Sequence, residues 1–170
     1  AAAALVGNLT SSAQNDQYLQ NTSSVEGMLQ TADSTLSSVV SVLNQAISLG
    51  VQGANGTLSP SDQQGIAQPV IGIQSQVLQL ANTSYQGIYI FAGTATTTPP
   101  FVADPSQPSG VTYNGNSGTN TVEIGTNRSI TVNMPGDQMF QGASGDVMNS
   151  LQQLVTALQN GDSSAIGNAT

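Results

Sequence analysis

Val25, Leu29, Ala32, Leu36, Val39, Leu43 and Ala46 stand alternately four and three residues apart. That spacing puts all seven on one stripe of an α-helix. With Val25 at heptad position d, Leu29, Leu36 and Leu43 occupy a, while Ala32, Val39 and Ala46 occupy d; the pattern runs back through Thr22 and Tyr18. Val40 and Ile47 at e, with Met28, Val42 and Leu49 at g, widen the stripe beyond what one partner helix covers, so a bundle is expected and not a two-stranded coil. The intervening positions are Ser, Thr, Gln and Asn in place of Lys and Glu. A helix free in water normally keeps i,i+4 ion pairs on its outer face, and this one has none to offer, which marks it as a helix to be packed by neighbours.

Gly50, Gly53 and the Asn55-Gly56 pair supply stop signals for this long first helix. A second begins at Ser59-Pro60-Ser61-Asp62, with Ser59 as cap, Pro60 at the first helical position and Asp62 in the capping-box place. Ile66, Val70, Ile73, Val77 and Leu80 repeat the four-three spacing, so the two helices are expected to pair as an antiparallel hairpin. Pro69 lies inside the second, where it removes one hydrogen bond and crowds the Gly65 carbonyl; a kink or a fresh start is predicted near Gln68. From Tyr85 the period changes. Candidate strands are Ile88 to Ala92, Val111 to Asn114, Val122 to Ile124 and Ile130 to Asn133, punctuated by Pro99-Pro100, Asn114-Gly115, Gly125 and Pro135-Gly136. Helical spacing returns with Val147, Leu151, Leu154 and Leu158, opening near Ser144 or Asp146 and ending at Asn160-Gly161, with Asp162 or Ser163 capping the next element.

Charged residues are 6% of the chain, against roughly a quarter in ordinary soluble proteins. Arg128 is the single base, nine carboxylates leave a net charge of -8, and solubility must rest on neutral polar side chains. Phosphate backbones and anionic lipid would be repelled, which argues against nucleic acid and membrane surfaces as partners. No uninterrupted apolar run approaches ~18 residues, so no bilayer span is expected. Ala1 to Val6 carry no basic segment and read as a helix already under way, so a signal peptide is not expected, and both ends are read as truncation points.

The chain has no His, Cys or Lys, which excludes a catalytic triad, a thiol nucleophile and a Schiff base, and no enzyme activity or cofactor is expected. The carboxylates are dispersed and lack calcium-loop spacing, so no metal site is expected, and Asp137 reads as a turn former. Arg128 is expected to pair with Glu123 across a hairpin. Tyr89, Phe91 and Phe101 are read as the core of a small β module in preference to contact anchors.

Several segments together carry a resemblance: Asn55-Gly56-Thr57-Leu58-Ser59, Leu80-Ala81-Asn82-Thr83, Gly87-Ile88-Tyr89-Ile90-Phe91-Ala92-Gly93, Thr98-Pro99-Pro100-Phe101 and Pro135-Gly136-Asp137. The chain resembles the bacterial flagellin family over about Asp16 to Gly167. The first two segments occur across the family, while the last three are similar to its hook–filament junction branch. The resemblance implies a structural subunit of the bacterial flagellum that joins hook and filament, is exported by the type III route without a cleaved signal and acts outside the cell. It further implies a fragment lacking the terminal coiled-coil segments. The implied partners are other copies of the chain in a ring, a neighbouring hook-associated junction protein, and flagellin or the filament cap. A filament flagellin of the same family and an adhesin or glycan-binding fibre tip are the alternatives.

The expected fold is α+β: an elongated antiparallel bundle of three main helices with a small inserted β module. Residues 1–84 and 142–170 would form the helical rod and 85–141 the outer β-rich domain. The expected helical core is Leu29, Leu36, Val39, Leu43, Ile66, Val70, Ile73, Val77, Leu151, Leu154 and Leu158. Such seams serve an intrachain core as readily as a subunit interface. The apolar e and g positions are the ones that would face another subunit.

Overall fold

The computed structural model describes residues 2–142 and 145–169. Helix α1 (Ala2–Gly53) has 52 residues and is about 78 Å long at the usual helical rise. Helix α2 (Pro60–Ala81) returns antiparallel to it and packs along its C-terminal half. Its start is the capping box expected from sequence: Asp62 N–H donates to Ser59 Oγ at 3.3 Å and Ser59 N–H donates to Asp62 Oδ2 at 3.2 Å. No fresh start occurs at Gln68, since the helix is continuous through Pro69. Gly65 and Pro69 both lie on the exposed side, where water can satisfy the carbonyl that loses its donor.

Eight short strands follow as four antiparallel pairs among the described residues: β1 (Ser84–Tyr85) with β2 (Ile88–Tyr89), β3 (Phe101–Ala103) with β4 (Val111–Tyr113), β5 (Thr121–Gly125) with β6 (Arg128–Thr131), and β7 (Gln141–Gly142) with β8 (Gly145–Asp146). The β1–β2 hairpin turns on Gln86 and Gly87, at φ 50° and 82°. A two-residue loop with both centres left-handed matches strand twist, which is why so short a connection closes. A single helical turn, α3 (Gly136–Phe140), precedes β7, and α4 (Val147–Asn160) and α5 (Ser163–Ala169) complete the chain. Asp146 caps α4 by accepting from Asn149 N–H at 3.0 Å; the other candidate start, Ser144, lies outside the described residues. Gly161, at φ 68°, ends α4, and Asp162 then caps α5 through the N–H groups of Ser164 and Ala165.

The core is one continuous cluster. Val39, Val42 and Ala46 of α1, Ala67, Val70, Ile73 and Val77 of α2, Met148, Leu151, Leu154 and Leu158 of α4 and Ile166 of α5 join Phe91, Phe101, Val111 and Phe140. Gly53 permits close packing at one end, since a Cβ there would come within 2.4 Å of Leu158. Contrary to the sequence expectation, α1 includes a stretch apolar enough by length and composition to reach across a bilayer. Val, Leu and Ile raise its average without forming an unbroken run, and its buried face packs on α2, α4 and α5.

Candidate functional site

Two apolar faces run along α1. Val25, Ala32, Val39 and Ala46 at d are buried with Thr35 and Val42 at g, so the intrachain seam is a d/g seam. The a positions form its margin: Leu36 and Leu43 are half-buried, and Leu29, expected in the core, is 41% exposed. The cover that the rest of the chain gives α1 is centred on its d and g positions, so the a positions are only partly shielded. Of the other expected core residues, Val39, Val70, Ile73, Val77, Leu151, Leu154 and Leu158 lie in the buried cluster and Ile66 is half-buried at its edge. Ala67 and Ala81 of α2 and Val155 and Ala157 of α4 are buried as well, and the four-three template passes over them.

The second face carries Leu29, Leu36, Val40, Leu43, Ile47 and Val51, spaced by seven, four, three, four and four residues, which keeps them in one line on the helix surface. Val40 is 58% exposed, Ile47 46% and Val51 64%. Beside Ile47 the line meets a groove of about 360 Å³ bounded by Leu43, Ala46, Met139, Val147, Leu151, Leu154 and Ala169. The apolar line continues sparsely toward the N-terminus through Leu19, Leu9 and Leu5, all exposed, with Asp16, Glu26 and Asp33 interspersed. No basic residue lies anywhere on α1. A face of this kind offers apolar contact over a long rod and no catalytic group.

A second constellation joins the helices to the strands. Phe91 and Phe140 stack edge to face with centroids 5.3 Å apart, Phe101 and Phe140 at 5.4 Å, and Phe101 lies 4.9 Å from Tyr113. Gly136 fits between them, for a Cβ there would approach Phe101 to 2.7 Å and the Phe91 carbonyl to 2.8 Å. Gly136 N–H and Tyr113 Oη–H both donate to the Phe91 carbonyl, at 2.8 and 3.0 Å. Asn82, one residue past α2, pairs with Phe101 as a strand would: its Nδ2 donates to the Phe101 carbonyl at 2.7 Å and its Oδ1 accepts from Phe101 N–H at 2.9 Å. Phe91, Phe101, Asn82 and Gly136 come from four of the segments that carried the family resemblance, so scattered sequence signals meet in one packing node. Tyr113 falls in the expected strand Val111 to Asn114, while Phe140 stands in no periodic pattern that would single it out.

Several amide side chains tie loops and strands together through backbone carbonyls. Asn120 Nδ2 and Asn133 Nδ2 donate to the Gly93 carbonyl at 3.1 and 2.9 Å, and Asn21 Nδ2 on α1 donates to the Glu123 carbonyl of β5 at 2.7 Å. Arg128 makes no pair with Glu123: the hairpin register sets Glu123 opposite Ser129, and a bulge beyond it sets Arg128 opposite Gly125. No group of three or more His, Cys, Asp or Glu among the described residues could hold a metal ion. The Asp104 carboxyl is held below its ordinary value by hydrogen bonds from Ser106 and then Thr112, and Asp62 likewise by Ser59. Burial pushes the Tyr113 phenol up.

The fold is a helical bundle carrying short antiparallel strand pairs, and the comparisons give its family. The family model of the bacterial flagellin N-terminal helical region matches residues 1–96, more than half of the chain, and the chain belongs to the bacterial flagellin family, whose members are structural proteins and not enzymes. It is similar to Flagellar hook-associated protein 3 of Escherichia coli (strain K12), with 31% identity over 137 residues, 80% of this chain and 42% of the relative. The same protein of Salmonella typhimurium matches to the same extent, 31% over 137 residues. The crystal structure of Bacillus cereus FlgL superposes with TM-score 0.78 at 27% identity, covering 99% of this chain and 80% of that one. That of Xanthomonas campestris FlgL superposes at 0.70 with 27% identity over 76% and 42%. The chain thus spans 42% of the length of the curated relatives it matches. The α+β architecture, a helical bundle with small antiparallel strand pairs, is that of these FlgL structures.

Proposed function

We propose that this chain is the packing body of a flagellar structural subunit that sits at the junction of hook and filament, outside the cell after export without a cleaved signal. The observation that carries this reading is the second apolar face of α1, on which Leu29, Val40, Ile47 and Val51 stand exposed along a helix that already buries a different face within its own chain. Burying such a ridge against neighbouring subunits releases about 25 cal/mol for each Å² of apolar surface removed from water. The partners on this reading are copies of the chain in a ring, a neighbouring hook-associated protein, and flagellin or the filament cap. Residues 85–141 form an outward unit, and 1–84 with 142–170 the rod.

The test is a chromosomal exchange in a flagellated host, replacing Val40 and Ile47 by Asp in the full-length protein. The exchanged residues are 58% and 46% exposed, so the purified variant should melt within a few degrees of the parent while its incorporation between hook and filament falls at least tenfold. Normal incorporation would remove the face from assembly. Long filaments grown from purified full-length protein alone would instead identify it as a filament flagellin.

A further inference from the structure

We propose that Asn55-Gly56, in the turn between α1 and α2, is a self-modifying site at which the side-chain amide is lost and aspartate and isoaspartate accumulate. In the step, the Gly56 amide nitrogen gives up its proton to a solvent base and bonds to Asn55 Cγ. The Cγ–Nδ2 bond then breaks, ammonia leaves with a proton taken from water, and a cyclic imide remains. Water opens the imide at either of its two C–N bonds, giving aspartate or isoaspartate. Water is the only co-reactant, and no redox change is involved.

Three Asn-Gly pairs occur in the chain, each with a nucleophilic nitrogen unshielded by a side chain, and their surroundings differ. At Asn160-Gly161 the glycine N–H is bound to the Leu158 carbonyl at 3.3 Å as the helix cap, with φ at 68°, so the nitrogen is held away from attack. At Asn114-Gly115 the Asn114 N–H is fixed to the Pro100 carbonyl at 2.7 Å, and the glycine lies beneath the Tyr113 ring, which a Cβ would approach to 2.4 Å. No donor reaches the Asn114 amide oxygen among the described residues.

Asn55 is placed differently. It is exposed, Gly56 has open space around it, and the Gly56 N–H has no acceptor among the described residues. Asn55 Oδ1 accepts from both Thr57 N–H, at 3.2 Å, and Thr57 Oγ1–H, at 2.9 Å. This Asx turn curls the carboxamide over the intervening Gly56 nitrogen. It also aims two donors at the oxygen on which negative charge develops as the nitrogen adds, the arrangement that lowers the barrier to acyl transfer elsewhere. The product places a new carboxylate two residues beyond the C-terminal end of α1, which has no basic residue in its last turn and is the negative pole of the helix. Isoaspartate also lengthens by one methylene the main chain of the turn that joins the helices.

The test is timed incubation of the full chain in mildly alkaline buffer, with peptide mapping by mass spectrometry and enzymatic methylation to detect isoaspartate. Asn55 should convert about tenfold faster than Asn114 or Asn160, and Thr57→Val, which removes the hydroxyl donor, should slow it roughly threefold to tenfold, less than for a buried oxyanion donor because solvent screens the site. Circular dichroism on the same samples establishes that the variant is folded. Conversion of Asn114 at the rate of Asn55, or an unchanged rate in Thr57→Val, would overturn the assignment.

Discussion

Gln63 is buried where α1 ends and α2 begins, its Nε2 donating to the Gly53 carbonyl and to Ser163 Oγ, both at 2.9 Å. A charged side chain in that place would need an ionic partner, whereas an amide is satisfied by backbone and hydroxyl. Ser59 works in the same neutral register. Ser59→Ala should lower stability by about 1 kcal/mol through loss of the cap, read as a shift in the urea midpoint without a change in slope. The pH dependence comes from three groups. Asp62 and Asp104 have lowered values, so the stability they contribute is present above the ordinary carboxylate range and is lost as pH falls through it. Tyr113 has a raised value, so its contribution is complete below the ordinary phenol range and is lost as pH rises beyond it. Thermal melts should therefore be flat between about pH 5 and pH 9 and fall on both sides. A transition near neutrality would contradict these assignments.

At the scale of the element, α1 shows how one helix carries two seams. Leu154 lies in the buried cluster between α2 and α1, and Leu154→Ala should cost about 2–5 kcal/mol through the cavity it leaves. The spacing alone would expect a similar loss at Leu36. Because Leu36 is only partly covered, Leu36→Ala should cost about half as much or less in the isolated chain, measured by chemical denaturation. Equal losses would mean that the a positions are as well packed as the d positions. In α2, Pro69 is tolerated because its ring and the Gly65 carbonyl both look to solvent; the cost of a missing hydrogen bond is smallest where water replaces it.

For the whole molecule, the N-terminal half of α1 is a different case from its C-terminal half. No residue described before Val25 is buried, and α2, α4 and α5 gather at the other end. Helical stability comes mainly from a packed apolar face, so amide hydrogen exchange in the isolated chain should be fastest from Leu5 to Leu19 and slowest in α2 and α4. Uniform protection along α1 would show that the helix is held by something other than its neighbours. Assembly then has a physical reading at this scale: contact with other subunits covers the side of the rod that its own chain leaves bare, consistent with the loss of incorporation expected for the paired exchange of Val40 and Ile47.

The elements and their ends were legible in the sequence wherever the cause is local. The heptad of α1, the capping box at Ser59, the Asp146 and Asp162 caps and the stop at Gly161 depend on residues within a turn of one another, and a linear reading finds them. The family resemblance was legible for the same reason, as short strings of adjacent residues. Leu29 exposed outside the core, Arg128 without Glu123, and the meeting of Phe91, Phe101, Tyr113, Gly136 and Phe140 were not. Those outcomes turn on which positions of α1 the rest of the chain covers, on the register of a hairpin, and on rings up to about fifty positions apart in the chain. Periodicity specifies that a face is apolar, and only the packed tertiary structure decides whether that face is already spent on its own chain or left for another.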